Sequence, residues 1–162
     1  MDTASLISLD RVRCDVQGRS KKHALDVLSE VLAASVDVLT PGEIFDSLIQ
    51  RERLGCTALG GSVAMPHGRI AGIDVSLGAF LRLAEPVDFD AADGEPVDLI
   101  FGVLIPEDCG ESELHKLKEL TASISESSLQ QRLRDAEDEE QVYAVLTGKA
   151  RKKSPRPAVQ VR

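Results

Sequence analysis

The chain has 162 residues, and its hydrophobic content of 43% is enough for one folded domain with a buried core. Aromatic residues make up only 3% and the formal net charge is −8, which argues against a nucleic-acid-binding protein. No segment approaches the roughly 20 apolar residues that span a bilayer, and the first residues have no secretory pattern. We therefore expect a cytoplasmic protein that binds no nucleic acid and does not insert into a membrane.

The three cysteines and three histidines are scattered singly along the chain. Without a C-x-x-C spacing, the cysteines are expected to be reduced and structural rather than zinc ligands or disulfides. We predict no metal and no cofactor. Residues 1–148 contain no linker and are expected to form one domain. Residues 149–162 are basic, contain two prolines and predict a disordered tail, with a weak electrostatic contact as the alternative.

The first third of the chain predicts a strand and two helices. A weak strand is expected over residues 11–16. Ser20 can cap a helix whose apolar residues recur at helical spacing. Thr40 and Glu43 form a capping box with a proline at the first helical position, and Gly55 is expected to end this second helix.

The middle of the chain predicts the main strands. Residues 63–65 are a short apolar run before Pro66, and residues 75–83 alternate in character with a period of two, which is typical of a strand. A turn is expected at Asp93 and Gly94. Residues 97–105 are almost entirely apolar, as in a central strand covered on both faces.

The remainder is predicted to be helical. A helix begins near residues 111–113, and two further capping boxes are indicated by Ser128 with Gln131 and by Asp138 with Gln141. Helices on both sides of a run of strands predict a single three-layer α/β domain with a mixed sheet.

Two histidines are placed at ends of predicted elements, where they could act chemically. His67 follows a short apolar strand, and His115 lies in the first turn of a helix. A neutral imidazole is a competent nucleophile near neutral pH, and phosphoryl transfer needs nearby positive charge and hydrogen-bond donors. Arg51, His115 and the backbone N–H groups around Gly60 and Gly61 could provide them. On spacing alone a surface or core histidine remains the simpler interpretation.

Residues 57–68, TALGGSVAMPHG, resemble the signature T-x-h-G-x-G-h-A-h-P-H, where h is hydrophobic. This is the phosphorylation-site signature of the fructose/mannitol class of enzyme IIA proteins of the phosphoenolpyruvate-dependent phosphotransferase system. Further similar segments are residues 19–33, 51–57, 85–106 and 130–143, and the resemblance as a whole extends over nearly all of the chain except its ends. They resemble the nitrogen-regulatory branch of the family most.

The resemblance implies a mixed five-stranded sheet flanked by helices. His67 would be the phosphoacceptor, carrying a tele-phosphohistidine after reaction with a phosphorylated HPr-like carrier. His115 would orient the phosphohistidine through a hydrogen bond, and Arg51 would offset the phosphoryl charge. The glycines expected to surround the phosphoryl group with their backbone are Gly60, Gly61 and Gly68.

Two positions depart from the family pattern. Ser62 replaces the second glycine, so the backbone angle of the turn is expected to differ. Cys56 stands where the branch commonly has serine. A small buried thiol is the favoured interpretation of Cys56, and redox-sensitive phosphorylation is the alternative.

Three functions are compatible with these residues. The first is a phosphoryl carrier acting as a regulator, whose phosphorylation state controls binding to regulatory target proteins. The second is a sugar-permease IIA component that passes its phosphoryl group to a IIB domain. The third is a binding module that is not phosphorylated, and the presence of His67, Arg51 and His115 argues against it.

Overall fold

The computed structural model describes residues 3–148, and the predicted tail at 149–162 lies outside the described residues. Its helices are α1 (Thr3–Leu6), α2 (Lys21–Ala33), α3 (Pro41–Leu54), α4 (Glu111–Ile124), α5 (Ser127–Asp135) and α6 (Glu139–Thr147), with a 3-10 turn at Leu9–Arg11. Its strands are β1 (Val12–Val16), β2 (Ala58–Gly60), β3 (Val63–Ala64), β4 (His67–Ile70), β5 (Leu77–Val87) and β6 (Val97–Pro106).

The strands form one mixed sheet in the order β1-β5-β6-β3-β2, with β4 also paired to β6. β5 is antiparallel to β6, whereas β3 and β4 are both parallel to it. Val63 of β3 pairs with Leu99, and His67 of β4 pairs with Val103 further along the same edge of β6. The six strands therefore occupy five positions across the sheet, which agrees with the five-stranded expectation.

The sheet separates two apolar cores, so the predicted three-layer α/β domain is confirmed. On one face, Ile100 and Leu104 of β6 pack with α2 and α3. On the other face, Phe101 and Val103 of the same strand pack with α4, α5 and α6. The predicted central strand is thus buried on both faces because its neighbouring residues alternate between two cores.

Most predicted helix starts are confirmed by their hydrogen bonds. Ser20 accepts from the N–H of His23, and Thr40 forms both bonds of its capping box with Glu43. Asp138 accepts from the N–H of Gln141.

The capping box predicted at Ser128 and Gln131 is wrong. α5 already begins at Ser127, after Glu126, which makes no side-chain cap. Buried Gln130 donates its side-chain amide to the carbonyl of Ile124 at 2.9 Å. The start of α5 is therefore held by a contact with the end of α4 rather than by a local cap.

Candidate functional site

A cleft of about 390 Å³ opens between α3, the start of β4 and α4. His67, the first residue of β4, lies in it together with Arg51 and Gly68. The other lining residues are Ser47, Gln50, Leu54, Arg69, Ile105, Leu114 and Leu117. The structure thus brings three of the six predicted site residues into one cavity.

Gly68 allows α3 to lie against β4 at this cleft. A Cβ atom at Gly68 would collide with the Ser47 hydroxyl oxygen and lie 3.2 Å from the Ser47 carbonyl carbon. The Ser47 hydroxyl donates to the carbonyl of Arg69 at 2.9 Å. The absence of a side chain at Gly68 therefore sets the distance between the helix that carries Arg51 and the strand that carries His67.

One nitrogen of the His67 ring is held by the backbone. Its Nδ1 lies 2.9 Å from the carbonyl oxygen of Met65. A carbonyl oxygen can only accept, so Nδ1 carries the hydrogen when this bond is made, and Nε2 keeps its lone pair. The backbone therefore selects the tautomer in which Nε2 is the nucleophilic nitrogen.

The surroundings of His67 favour its neutral form. Burial lowers the pKa of His67 below its ordinary 6.5. The hydrogen bond to Met65 opposes this shift, the positive charge of Arg51 adds to it, and the negative charge of Glu52 opposes it. The net result is an imidazole that is uncharged, and so nucleophilic, at neutral pH.

Arg51 lies in the last turns of α3 and is half-buried. Its Nη1 donates to the carbonyl of Gly55, just beyond the helix end, at 2.8 Å. This bond engages one of the five donors of the guanidinium.

Glu52, the next residue on α3, was not identified from the sequence. Its side chain is only 2% exposed and forms an ion pair with Lys21 of α2 at 2.8 Å. It also accepts hydrogen bonds from the N–H of Thr57, at 3.2 Å, and from the Thr57 hydroxyl. Thr57, the first residue of the predicted signature, is thus hydrogen-bonded to a buried carboxylate on the residue next to Arg51.

His115 lies outside the residues that line the cleft. Its side chain is 74% exposed, and its Nε2 is 3.4 Å from the carboxylate of Glu119 one turn further along α4. Its neighbours Leu114 and Leu117 do line the cleft. The structure therefore places His115 on the helix that borders the site, with its imidazole directed to a surface carboxylate.

Gly60 and Gly61 also lie away from the cleft. Both glycines precede β3. β3 and β4 run in the same direction along β6, and Val63 and His67 pair there with Leu99 and Val103. These two partners are four residues, or roughly 13 Å, apart along the strand. The N–H of Gly61 donates to the carboxylate of Asp93 at 3.1 Å. Of the three glycines predicted around the phosphoryl group, only Gly68 is at His67.

Ser62 adopts the left-handed conformation that is usual for glycine, with a φ of 69°. Gly60 and Gly61 before it have φ values of 91° and 66°. The carbonyl of Ser62 accepts from the N–H of Asp98 at 3.0 Å, so pairing with β6 holds the serine in this conformation.

The expectation that Cys56 is buried is wrong. The residue is exposed, because it lies in the connection between the end of α3 and β2 rather than in a core. Its thiol contacts the carbonyl of Phe89 at 3.0 Å. Within the described residues all three cysteines are free, and no group of three or more side chains could hold a metal ion.

The α3 wall of the cleft does have a signal in the sequence. Ser47, Gln50, Arg51 and Leu54 are spaced i, i+3, i+4 and i+7, so they share one helix face. Leu54 is 85% exposed, which is unusual for a leucine and marks the rim of the cleft. The burial of Glu52 has no such signal, because its partner Lys21 is distant in sequence.

Comparison with known proteins places these features in a family. Residues 5–149 match the family model described as the phosphoenolpyruvate-dependent sugar phosphotransferase system, EIIA 2. The nitrogen regulatory protein of Escherichia coli is 33% identical over 91% of this chain and 90% of its own length. That of Pseudomonas aeruginosa is 36% identical over 87% of this chain and 92% of its own length.

Solved structures agree with the sequence relatives. The nitrogen regulatory protein IIA-Ntr from Neisseria meningitidis has a TM-score of 0.81 and 39% identity, covering 89% of this chain and 98% of its own. The mannitol IIA protein of Escherichia coli shares the fold, with a TM-score of 0.70 at 20% identity. Among residues 3–148, no helix has the length and apolar character needed to cross a bilayer. The chain belongs to the EIIA type 2 family of the phosphoenolpyruvate-dependent phosphotransferase system, whose members are phosphotransferase components that carry phosphoryl groups.

Proposed function

We propose that this chain carries a phosphoryl group on Nε2 of His67 and acts mainly as a regulator. The observation that carries the proposal is the hydrogen bond from Nδ1 to Met65, which leaves Nε2 as the free nucleophile in a cleft beside Arg51. The phosphoryl donor is a phosphorylated HPr-like carrier. Residues 1–148 form the domain that performs this reaction, in the cytoplasm.

The transfer needs no proton to move. The lone pair of Nε2 forms the new N–P bond while the N–P bond of the carrier breaks, and its electron pair stays on the carrier's nitrogen. Because Nδ1 keeps its hydrogen, the phosphorylated ring gains positive charge, which the Met65 carbonyl stabilises. The passing phosphoryl group is negative, so the guanidinium of Arg51 is suited to stabilise it.

His115 is the less direct part of the proposal. It would orient the phosphohistidine, as the resemblance implies, and its helix borders the cleft through Leu114 and Leu117. Its imidazole would have to leave Glu119 to do so. The role of His115 stays a prediction.

The regulatory role rests on the relatives called nitrogen regulatory proteins. Phosphorylation adds a negatively charged phosphoryl group to a face that carries exposed Leu54 and two arginines, Arg51 and Arg69. Such a change alters which target proteins can bind there.

Transport is the second candidate. A relative in Haloferax volcanii, 28% identical, is called a fructose-specific EIIA component. In that function the phosphoryl group would pass from His67 to a IIB domain.

Labelling tests the carrier function directly. The protein is incubated with phosphoenolpyruvate, enzyme I and the carrier, and phosphate is located by mass spectrometry under conditions that preserve phosphohistidine. We expect one phosphoryl group on His67, no labelling of His67→Ala and normal labelling of His23→Ala, which removes a histidine outside the cleft. Full labelling of His67→Ala would contradict the proposal.

A second experiment separates the two candidate roles. The phosphorylated protein is mixed with IIB domains, and both forms are used to capture proteins from the source cells. The regulator is supported by phosphate that stays on His67 and by partners that bind only one form. Rapid loss of phosphate to a IIB domain supports transport instead.

A further inference from the structure

The buried carboxylate of Glu52 lies beside the cleft but takes no part in the reaction proposed above. Glutamate is rarely this buried, because a carboxylate removed from water needs partners that compensate for its lost hydration. Its partners come from two different segments: Lys21 of α2 and Thr57 at the entry to β2. These contacts hold Lys21, Glu52 and Thr57 in a defined geometry and also contribute to the packing of α3.

A series of hydrogen bonds connects Glu52 to His67. Glu52 accepts from the N–H and hydroxyl of Thr57. The carbonyl of Thr57 accepts from the N–H of Met65 at 3.0 Å. The carbonyl of Met65 in turn lies 2.9 Å from Nδ1 of His67. The position of Thr57 therefore determines where the acceptor of the His67 ring is placed.

The same residue also supports Arg51. The backbone carbonyl of Glu52 accepts from the N–H of Gly55 at 3.2 Å, and the carbonyl of Gly55 accepts from Arg51 at 2.8 Å. The turn between α3 and β2 is thus anchored at one end by the Glu52 backbone and at the other by its side chain. Both residues proposed for the reaction depend on this turn.

We propose that Glu52, with Lys21 as its counterion, is a positioning residue for phosphoryl transfer. It holds Thr57 so that the His67 ring presents Nε2 to the donor, and its negative charge stabilises the positive charge that the ring gains on phosphorylation. This inference rests on the proposed function of His67 and assigns a role to a residue that does not touch the phosphoryl group.

The charges around His67 are consistent with this role. Burial lowers the pKa of His67 and Arg51 adds to this shift, whereas the negative charge of Glu52 opposes it. The other charged residue of the cleft is Arg69 of β4, and α4 contributes the apolar Leu114 and Leu117 to its lining. Glu52, although paired with Lys21, therefore opposes the effect of Arg51 on the ring, and its removal leaves the ring harder to protonate.

The first test removes the negative charge of the Glu52 side chain and keeps the size and shape of that side chain. In Glu52→Gln, an amide oxygen remains for Thr57 but the negative charge is gone. We expect the pKa of His67, measured by NMR on the unphosphorylated protein, to fall, because the negative charge that opposes its lowering is gone. Phosphorylation by the carrier should slow by about tenfold, since small displacements of a reacting group carry large kinetic penalties.

Two further variants distinguish positioning from a general loss of stability. Glu52→Asp keeps the charge, so its His67 pKa should lie closer to the original value than that of Glu52→Gln. Asp46→Asn removes an exposed charge from the same helix and should change neither the pKa nor the rate. An unchanged His67 pKa and an unchanged rate in Glu52→Gln would overturn the proposal.

Thr57→Val provides an independent test should Glu52→Gln not fold. It keeps the charge of Glu52 but removes the hydroxyl bond, so phosphorylation should slow while the pKa of His67 stays the same. An unaffected rate would overturn the positioning role. The pKa measurements need no phosphorylated protein, so they remain informative even where labelling shows that His67 is not the phosphoacceptor.

Discussion

At the scale of single residues, the lowered pKa of His67 determines how its reactivity responds to pH. The neutral ring is the nucleophile, and burial keeps it neutral below the ordinary pKa of 6.5. We predict that the rate of phosphorylation stays constant from neutral pH down past 6.5 and falls only below it. Rapid-quench measurements against pH, with the donor kept saturating, check this. A midpoint above 6.5 would contradict it.

The same shift predicts the pH dependence of folding. Above pH 6.5, His67 is neutral in both the folded and the unfolded chain, so its contribution to stability is fully present. Below 6.5 the unfolded chain takes up the proton first, and stability is lost until the lower folded pKa is passed. Urea unfolding between pH 7.5 and about 5 should show this loss, and His67→Gln should reduce it.

At Ser62, the backbone conformation predicts a measurable effect on stability. A left-handed φ costs a residue other than glycine roughly 1–2 kcal/mol, partly offset because glycine gains more entropy on unfolding. We predict that Ser62→Gly raises the free energy of unfolding by up to about 1 kcal/mol. Ser62→Ala keeps the Cβ atom and should give no gain. Equal stabilities of the two variants in urea would show that Ser62 is not strained.

The site could be predicted from the sequence only where its signal is local. The motif indicates His67 and the place of Arg51 at a helix end indicates that residue, and the structure places both in one cleft. The burial of Glu52 depends on an ion pair with Lys21, and the exposure of Cys56 depends on the path of a loop. Neither is encoded by neighbouring residues, so neither was predicted.

At the scale of elements, the contact between α3 and β4 holds the two halves of the site together. A Cβ atom in Gly68→Ala would meet Ser47 and force the helix away from the strand. We predict a loss of about 1–3 kcal/mol in unfolding free energy and slower phosphorylation, since Arg51 moves with α3. Denaturant unfolding and the labelling rate measure the two effects.

Two variants serve as controls for this prediction. Gly110→Ala adds the same methyl group where nothing lies within 4 Å, and it should be tolerated. Adding Ser47→Ala to Gly68→Ala removes the hydroxyl that collides and should restore part of the stability. No difference between Gly68→Ala and Gly110→Ala would show that the close approach is unimportant.

Elements were predicted well where capping or periodicity specifies them. The capping box at Thr40 and the apolar run of β6 are examples. β4 was missed because its four residues, HGRI, have no strand pattern of their own and are extended through pairing with β6. α5 begins two residues earlier than its predicted cap implied, because a contact of Gln130 with Ile124 decides its start.

At the scale of the whole molecule, the central sheet connects the two cores, so we expect them to unfold as one cooperative unit. β6 contributes buried residues to both, and Gly102 lets Leu28 of α2 contact its backbone, because a Cβ atom there would lie 2.5 Å from Leu28 Cδ2. Leu28 is fully buried, so Leu28→Ala should cost about 2–5 kcal/mol.

Tyr143 makes this coupling measurable. It is the only tyrosine in the chain, and there is no tryptophan. Tyr143 belongs to α6 and packs against the core on the opposite side of the sheet from Leu28. We predict that Leu28→Ala lowers the urea midpoint followed by Tyr143 fluorescence as much as the midpoint followed by far-ultraviolet circular dichroism, with the same m-value. The matched variant Leu120→Ala creates a cavity in the other core. It should also lower the fluorescence and circular-dichroism midpoints by equal amounts. If the Tyr143 transition stays at its original midpoint in Leu28→Ala, the two cores unfold separately. Destabilising the core on one face of the sheet would then leave the stability of the other core unchanged.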